Sequence, residues 1–153
     1  LIQMYPDKDY LVDSLVPVVQ EEWSHFRSVL EELRKKGYSL GKPRKDLYVV
    51  RLREFIIKGG SPEDRLLDHL LVCALIEARS CERFRLLSEG LQDETYRKFY
   101  RSFMVSEAGH YRLFKEIAQY YLPKERVEQR WQEFLEHEAE VMKWLEIRGD
   151  RIH

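Results

Sequence analysis

Cysteine, glycine and proline are all scarce in this sequence. Of its 153 residues, 2 are cysteine, 7 are glycine and 5 are proline. The cysteines, Cys73 and Cys81, are eight positions apart in one predicted helix, which separates them by about 12 Å along its axis and excludes a disulfide between them. We therefore predict two reduced thiols that pack as small apolar side chains.

Long hydrophobic runs are absent as well. The longest one covers Leu70–Ile76, far short of the roughly 20 apolar residues that span a bilayer. The N-terminus also lacks the features of a signal peptide, so we expect a cytoplasmic protein with no membrane contact. The chain starts at Leu1 without an initiator methionine, and for this reason we expect it to be a fragment.

Neither sign of charge dominates the chain as a whole. The 26 Lys and Arg residues oppose 27 Asp and Glu residues, a net charge of -1, which excludes a uniformly basic, histone-like binder. The segment from Arg34 to Lys58 is an exception, since it carries nine basic residues and two acids, a net +7 in 25 residues. This basic segment is either a solvated loop or a footprint for a phosphate backbone.

The few glycines and prolines separate segments that have a helical pattern. Breaks fall at Gly37, Gly59-Gly60, Gly90 and Pro123, and apolar residues recur every three or four positions in the four long segments between them. A shorter basic helix is expected between Arg44 and Lys58. No long segment alternates as a strand does. We predict an all-α helical bundle that forms a single domain over residues 1–153.

Ionisable residues interrupt each of the four apolar stripes near its middle. A carboxylate in a dry core is costly unless it is paired, protonated or bound to a metal ion. The interrupting residues are Glu22 and His25 in the first stripe, Glu77 in the second, Glu107 and His110 in the third, and Glu138 in the fourth. Several breaks at similar depth indicate that these side chains meet.

Two of the interruptions have the spacing Glu-x-x-His, at Glu22/His25 and at Glu107/His110. Residues i and i+3 share a helix face, so a carboxylate and an imidazole can reach one metal ion together. Two such pairs, with one Glu from each of two other helices, form the dinuclear carboxylate site of ferritin-like bundles, which suits iron or manganese. Hydrogen-bonded polar groups in the core are the alternative interpretation.

Three runs of residues carry a family resemblance. Ile76–Phe84, Phe99–Ser102 and Ser106–Tyr111 resemble the MiaE-type tRNA hydroxylases, which are ferritin-like di-iron monooxygenases. The run Glu21–Phe26 looks like the earlier Glu-x-x-His helix of that family. The resemblance implies that iron is held by Glu22, His25, Glu77, Glu107 and His110.

The resemblance also implies a sixth ligand on a helix that precedes the first one here. No Glu in a helical stripe lies before Glu21, so we expect the ferritin-like bundle to lack its first helix in this fragment. Glu138 faces inward in the pattern and is an alternative sixth ligand, although the family does not use that helix.

The activity implied by the resemblance is O2-dependent hydroxylation of the isopentenyl group of 2-methylthio-N6-isopentenyladenosine in tRNA. The resemblance implies that this reaction requires two iron ions. Its electrons must come from an external donor, because the sequence contains no flavin, iron–sulfur or nicotinamide motif. The expected partners are a separate reductase and the tRNA anticodon arm, docked on the basic segment. A ferritin-like protein that oxidises iron or reduces peroxide without RNA, and a metal-free helical interaction module, are the alternatives.

Overall fold

The computed structural model describes residues 1–145, and it contains five helices. They are α1 (Asp9–Lys35), α2 (Leu47–Glu54), α3 (Pro62–Gly90), α4 (Glu94–Tyr121) and α5 (Lys124–Trp144). No strand occurs among the described residues, so the predicted all-α class is confirmed. No helix in this part of the chain is long and apolar enough to cross a membrane.

The chain divides into two compact units, Leu1–Lys45 and Asp46–His153. The predicted single domain over residues 1–153 stays a prediction.

The first unit consists of α1, the turn before it and the irregular segment after it. The carbonyl of Leu1 accepts hydrogen bonds from the amides of Met4 and Tyr5 ahead of the helix. After the helix, Gly37 has a φ of +77°, a left-handed conformation that glycine adopts without steric cost. The break predicted at Gly37 therefore marks the end of α1.

The apolar stripe predicted along α1 is only partly buried. Leu11 and Leu15 are buried at its start, whereas Val29 near its end is 40% exposed. Because α1 is the single helix within residues 1–45, this unit itself has no second helix to cover the rest of the stripe.

The second unit is built on the hairpin of α3 and α4, which are joined by the three residues 91–93. Ser61 caps α3 in a reciprocal capping box with Asp64, and Asp93 caps α4 by accepting hydrogen bonds from the amides of Thr95 and Tyr96. The ring of Phe84 packs against that of Phe103, and Glu77 lies beside His110. Contacts that recede from the connection along both helices show that α3 and α4 are antiparallel neighbours.

The helix α5 runs in the same direction as α3. Arg130 contacts Asp68, and further along both helices Glu138 contacts Arg79. Fully buried apolar side chains fill the space between the helices of this unit. They include Leu66, Leu70, Leu71, Leu75, Ile117, Val127 and Phe134.

An ion pair that the sequence pattern did not reveal lies in this core. The Asp68 carboxylate, 2% exposed, accepts from Nε and Nη2 of Arg130 at 2.8 Å each and from the amide of Ile57 at 2.8 Å. The Arg130 guanidinium lies 4.5 Å from the ring centroid of Phe55 and 4.9 Å from that of Phe134. This arrangement joins the end of α2 to α3 and α5.

Candidate metal centre

The hairpin of α3 and α4 brings three of the five predicted ligands together. One carboxylate oxygen each from Glu77 and Glu107 and one imidazole nitrogen of His110 lie within 4.8 Å of one another. His110 Nδ1 is 3.8 Å from Oε2 of Glu77. Glu107 is 6% and His110 4% exposed, so both lie out of bulk water. In this position two carboxylates and an imidazole form a donor set for a divalent cation.

Local structure explains why these side chains converge. Glu107 and His110 are one helical turn apart on α4, and the buried rings of Phe103 and Phe114 lie one turn before and one turn after them. Glu77 comes from the antiparallel α3. Two negative carboxylates at this distance repel each other in a low-dielectric interior, and a bound cation removes that repulsion. The donor chemistry therefore fits a hard metal ion such as iron.

The other two predicted ligands lie on α1, in the first unit. His25 Nδ1 is 3.5 Å from Oε1 of Glu22, and the side chains are 18% and 46% exposed respectively. The i, i+3 spacing thus places the two side chains side by side, as predicted. The burial expected of a mid-stripe carboxylate does not hold for Glu22, because α1 has no second helix beside it within its own unit.

Glu138, the alternative ligand considered on α5, is held by two other side chains. The Tyr48 hydroxyl donates to Glu138 Oε1 at 2.6 Å, and Arg79 Nη2 donates to the same oxygen at 2.9 Å. Burial, and then the neighbouring Glu138, raise the pKa of Tyr48 far above its usual range, so the phenol remains neutral. Glu138 does not belong to the carboxylate–imidazole group of the second unit, and its break in the stripe is explained by Arg79 and Tyr48.

Sequence analysis missed both partners of Glu138. Arg79 lies in the run Ile76–Phe84, where only Glu77 was given a role, and Tyr48 lies in the short basic helix. The signal that could have identified them is the buried acid itself, since a carboxylate in a core requires a cationic or hydroxyl partner.

The two cysteines are on either side of Glu77 along α3. Burial, and then the charge of Glu77, raise the pKa of the Cys73 thiol to about 11. Burial also raises the pKa of Cys81, whose thiol donates to the carbonyl of Met104 at 3.5 Å. Both remain thiols at neutral pH, which agrees with their predicted role as small packing residues.

We expect Cys73 to react slowly with iodoacetamide. Only the thiolate reacts, and a pKa near 11 leaves about a hundredfold less thiolate at pH 8 than an ordinary thiol has. In a Cys81→Ser variant, the alkylation rate measured against pH should rise steeply toward pH 11. The urea-unfolded variant is the control, and it should react with an ordinary thiol profile. An inflection near pH 9 in the folded protein would contradict the assigned environment.

Comparison with known proteins gives consistent matches. The model of the family described as tRNA-(MS2IO6A)-hydroxylase (MiaE) matches residues 1–153. A tRNA 2-(methylsulfanyl)-N(6)-isopentenyladenosine(37) hydroxylase of Pseudomonas putida is 35% identical over 121 residues, which is 79% of this chain and 58% of that protein. The protein of the same name from Salmonella typhimurium is 34% identical over 134 residues, 86% of this chain and 47% of that protein. The chain thus spans about half the length of these curated relatives.

A solved structure has the same fold. It is a protein from Synechococcus with aldehyde deformylating oxygenase activity, with a TM-score of 0.83 and 33% sequence identity over 98% of this chain and 74% of that one. This match confirms the ferritin-like helical fold that the sequence predicted.

Proposed function

The chain belongs to the MiaE family of tRNA hydroxylases, and from that premise we propose that it carries the catalytic centre of an O2-dependent di-iron monooxygenase. The proposed reaction is hydroxylation of the isopentenyl group of 2-methylthio-N6-isopentenyladenosine in tRNA. The observation that carries the proposal is the group of Glu77, Glu107 and His110 on the α3–α4 hairpin, in which Glu107 and His110 are buried. A tRNA substrate also implies a cytoplasmic location.

We propose that five side chains hold two iron ions: Glu22, His25, Glu77, Glu107 and His110. Three of them are adjacent in the second unit, and the other two form the i, i+3 pair of α1. The repeated Glu-x-x-His spacing and the family membership support the inclusion of the α1 pair. Carboxylates suit this role because they can bridge two cations, while each imidazole binds one.

Bound iron would supply the activation of O2 and the transfer of one oxygen atom to a C–H bond, for which protein side chains have no equivalent. The chain's own residues bind the cations and limit water. Glu107 and His110 are almost fully buried, and the phenyl rings of Phe103 and Phe114 lie on the same face of α4. None of the five ligands is proposed as a general acid or base. The electrons would come from a separate reductase.

The basic segment from Arg34 to Lys58 is the proposed docking surface for the anticodon arm. Residues 39–46 lie outside the helices, and Lys42, Arg44 and Lys45 are exposed there. Exposed Lys and Arg side chains in an irregular segment can approach phosphates without rearranging a helix. Single-stranded loops such as the anticodon loop also present unstacked bases that an enzyme can reach.

We expect tRNA binding to depend strongly on salt and on this segment. In the full-length protein, replacing Lys42, Arg44 and Lys45 with alanine should weaken binding at least tenfold and reduce the slope of log K against log[salt] by about three. The measurement is a fluorescence titration of tRNA at several salt concentrations. The matched control replaces three exposed basic residues elsewhere, Arg101, Arg112 and Lys124.

The nucleosides of cellular tRNA report the proposed hydroxylation. The tRNA nucleosides of a strain that lacks the gene should include the isopentenyl nucleoside but not its hydroxylated form. Reintroducing the gene should restore the hydroxylated nucleoside. An unchanged nucleoside profile in that strain would contradict the proposal. An affinity for tRNA that does not change with salt concentration would contradict it as well. Iron oxidation by a protein that does not bind tRNA would favour the ferritin-like alternative, and a full-length protein without iron would favour the interaction module.

A further inference from the structure

The run Ile76–Phe84 contains two arginines for which the proposed reaction has no role. Arg79 and Arg83 are four positions apart on α3, so they share one face of the helix, one turn apart. Glu77 lies on the other side of α3, because a step of two residues rotates a side chain by about 200° around the axis. The two arginines therefore form a feature separate from the carboxylate group.

Each of these guanidinium groups has a buried hydrogen-bond donor without an acceptor. Within residues 1–145, Nε of Arg79 and Nε of Arg83 are both shielded from solvent and have no hydrogen-bond partner. Arg79 uses Nη2 to bind Glu138, and Arg83 takes part in no ion pair of the described chain. Arg79 therefore has one hydrogen-bonded carboxylate partner, Glu138, and the neutral Tyr48 phenol adds no negative charge.

Arg85, on the same helix, is by contrast hydrogen-bonded through all three of its guanidinium nitrogens. Arg85 donates through Nε and Nη2 to Glu82 at 2.9 and 2.8 Å and through Nη1 to Glu89 at 2.8 Å. Acidic partners are therefore available on α3, and Arg79 and Arg83 do not use them. A buried donor left unsatisfied destabilises the fold, and native structures keep few of them.

We propose that Arg79 and Arg83 form a phosphate-binding pair, and that its ligand is a backbone phosphate of the RNA substrate. The guanidinium fork matches the oxygens of a phosphate in a bidentate way, and two forks one turn apart can hold one such group. The proposal rests on the tRNA substrate proposed above and adds a contact outside the basic segment. Free inorganic phosphate has the same chemistry and is the alternative source of the ligand.

A neighbouring feature of α5 favours RNA over a free ion. Arg51 lies 4.1 Å above the ring of Trp144, whose side chain is 58% exposed. Trp144 follows Glu138, the partner of Arg79, by six residues, or about 9 Å along α5. An exposed indole with a stacked guanidinium is a surface on which an unpaired base can stack. A phosphate pair and a base-stacking surface within one unit suit a nucleic acid strand.

The test compares Arg83→Gln with Arg85→Gln in the full-length protein. Both variants lose one positive charge from the same stretch of α3, but only Arg83 belongs to the proposed pair. Arg83→Gln should weaken tRNA binding five- to tenfold and lower the slope of log K against log[salt] by about one, while Arg85→Gln changes neither. Arg83→Lys, which keeps the charge but not the fork, should recover only part of the affinity. Circular dichroism melts check that each variant is folded.

A second measurement identifies the ligand directly. The Nε–H resonances of Arg79 and Arg83 in a 15N-labelled protein should shift when an anticodon stem–loop RNA is added, and should not shift with inorganic phosphate at the same phosphate concentration. Shifts with inorganic phosphate alone would overturn the RNA assignment. Wild-type affinity and salt slope in Arg83→Gln would overturn the pair while leaving the proposed function intact, whereas a wild-type protein that binds no tRNA would overturn both.

Discussion

Replacing Glu107 with alanine is expected to remove iron from the full-length protein and to abolish hydroxylation, while the helices remain. Glu107 is 6% exposed and shares a site with Glu77 and His110. Removing it takes away one negative charge and a ligand that can bridge the two cations. Glu107 would hold iron together with Glu77 and His110, so we expect about two irons per chain in the wild type and none in the variant.

The measurement is metal content after anaerobic reconstitution with ferrous iron. Glu116→Ala is the matched control, because Glu116 is an exposed carboxylate on the same helix, and it should retain the full complement. His110→Ala should behave as Glu107→Ala does. Unchanged iron content in either ligand variant would contradict the ligand assignment, and circular dichroism separates that outcome from a failure to fold.

The same variants should differ in how metal affects their stability. A ligand that binds only the folded state stabilises it by about 2.7 kcal/mol when its concentration is a hundred times Kd. For a domain of this size, that corresponds to a rise in Tm of roughly 5–11 °C. Added ferrous iron should therefore raise the Tm of the wild type and of Glu116→Ala, and leave that of Glu107→Ala unchanged. An equal rise in all three would indicate binding elsewhere on the protein.

Most of the helix boundaries could be predicted because they depend on local chemistry. Pro62 at the first turn, the Ser61 and Asp93 caps and the left-handed Gly37 each act within a few residues of their own position. The meeting of Glu77 with Glu107 and His110 was also predictable. When two long helices joined by a short turn pack antiparallel along their apolar stripes, their mid-stripe residues lie at similar depth.

The sequence alone does not show which apolar stripe of a helix is buried against the rest of the protein. In α1, the positions Val16, Val19, Trp23 and Phe26 also repeat at steps of three and four, and they are 40–62% exposed. A helix with two adjacent apolar stripes has no periodicity that distinguishes the buried one. In α1 the predicted stripe holds the buried Leu11 and Leu15. Glu22 on that stripe is 46% exposed, because its own unit has no second helix to cover it.

Sequence analysis also did not predict contacts between residues that are far apart in the chain. Glu138 was recognised as an inward-facing acid, but its partner Arg79 is 59 residues away. Asp68 and Arg130, 62 residues apart, were not recognised at all. Periodicity tells which face a residue lies on, and it carries no information about the residue opposite.

The Asp68–Arg130 pair gives the largest expected effect on stability. Asp68→Asn keeps the shape of the side chain but leaves the Arg130 guanidinium, which contacts the rings of Phe55 and Phe134, without its main counter-charge. Breaking a buried pair by neutralising one partner costs about 3–5 kcal/mol. Because the Arg130 side chain is 22% exposed, we expect the lower end, about 3 kcal/mol, which corresponds to a fall in Tm of roughly 6–12 °C.

Urea denaturation of the metal-free protein measures this loss. The control is Glu133→Gln, which removes the more exposed acid that contacts the same guanidinium and should cost about 1 kcal/mol or less. The double variant Asp68→Leu/Arg130→Met removes both charges and should be more stable than Asp68→Asn, since no unpaired charge remains in the core. A loss below about 1 kcal/mol for Asp68→Asn would mean that the pair does not hold α2, α3 and α5 together. In that case packing around Phe55 and Phe134 would have to account for the junction.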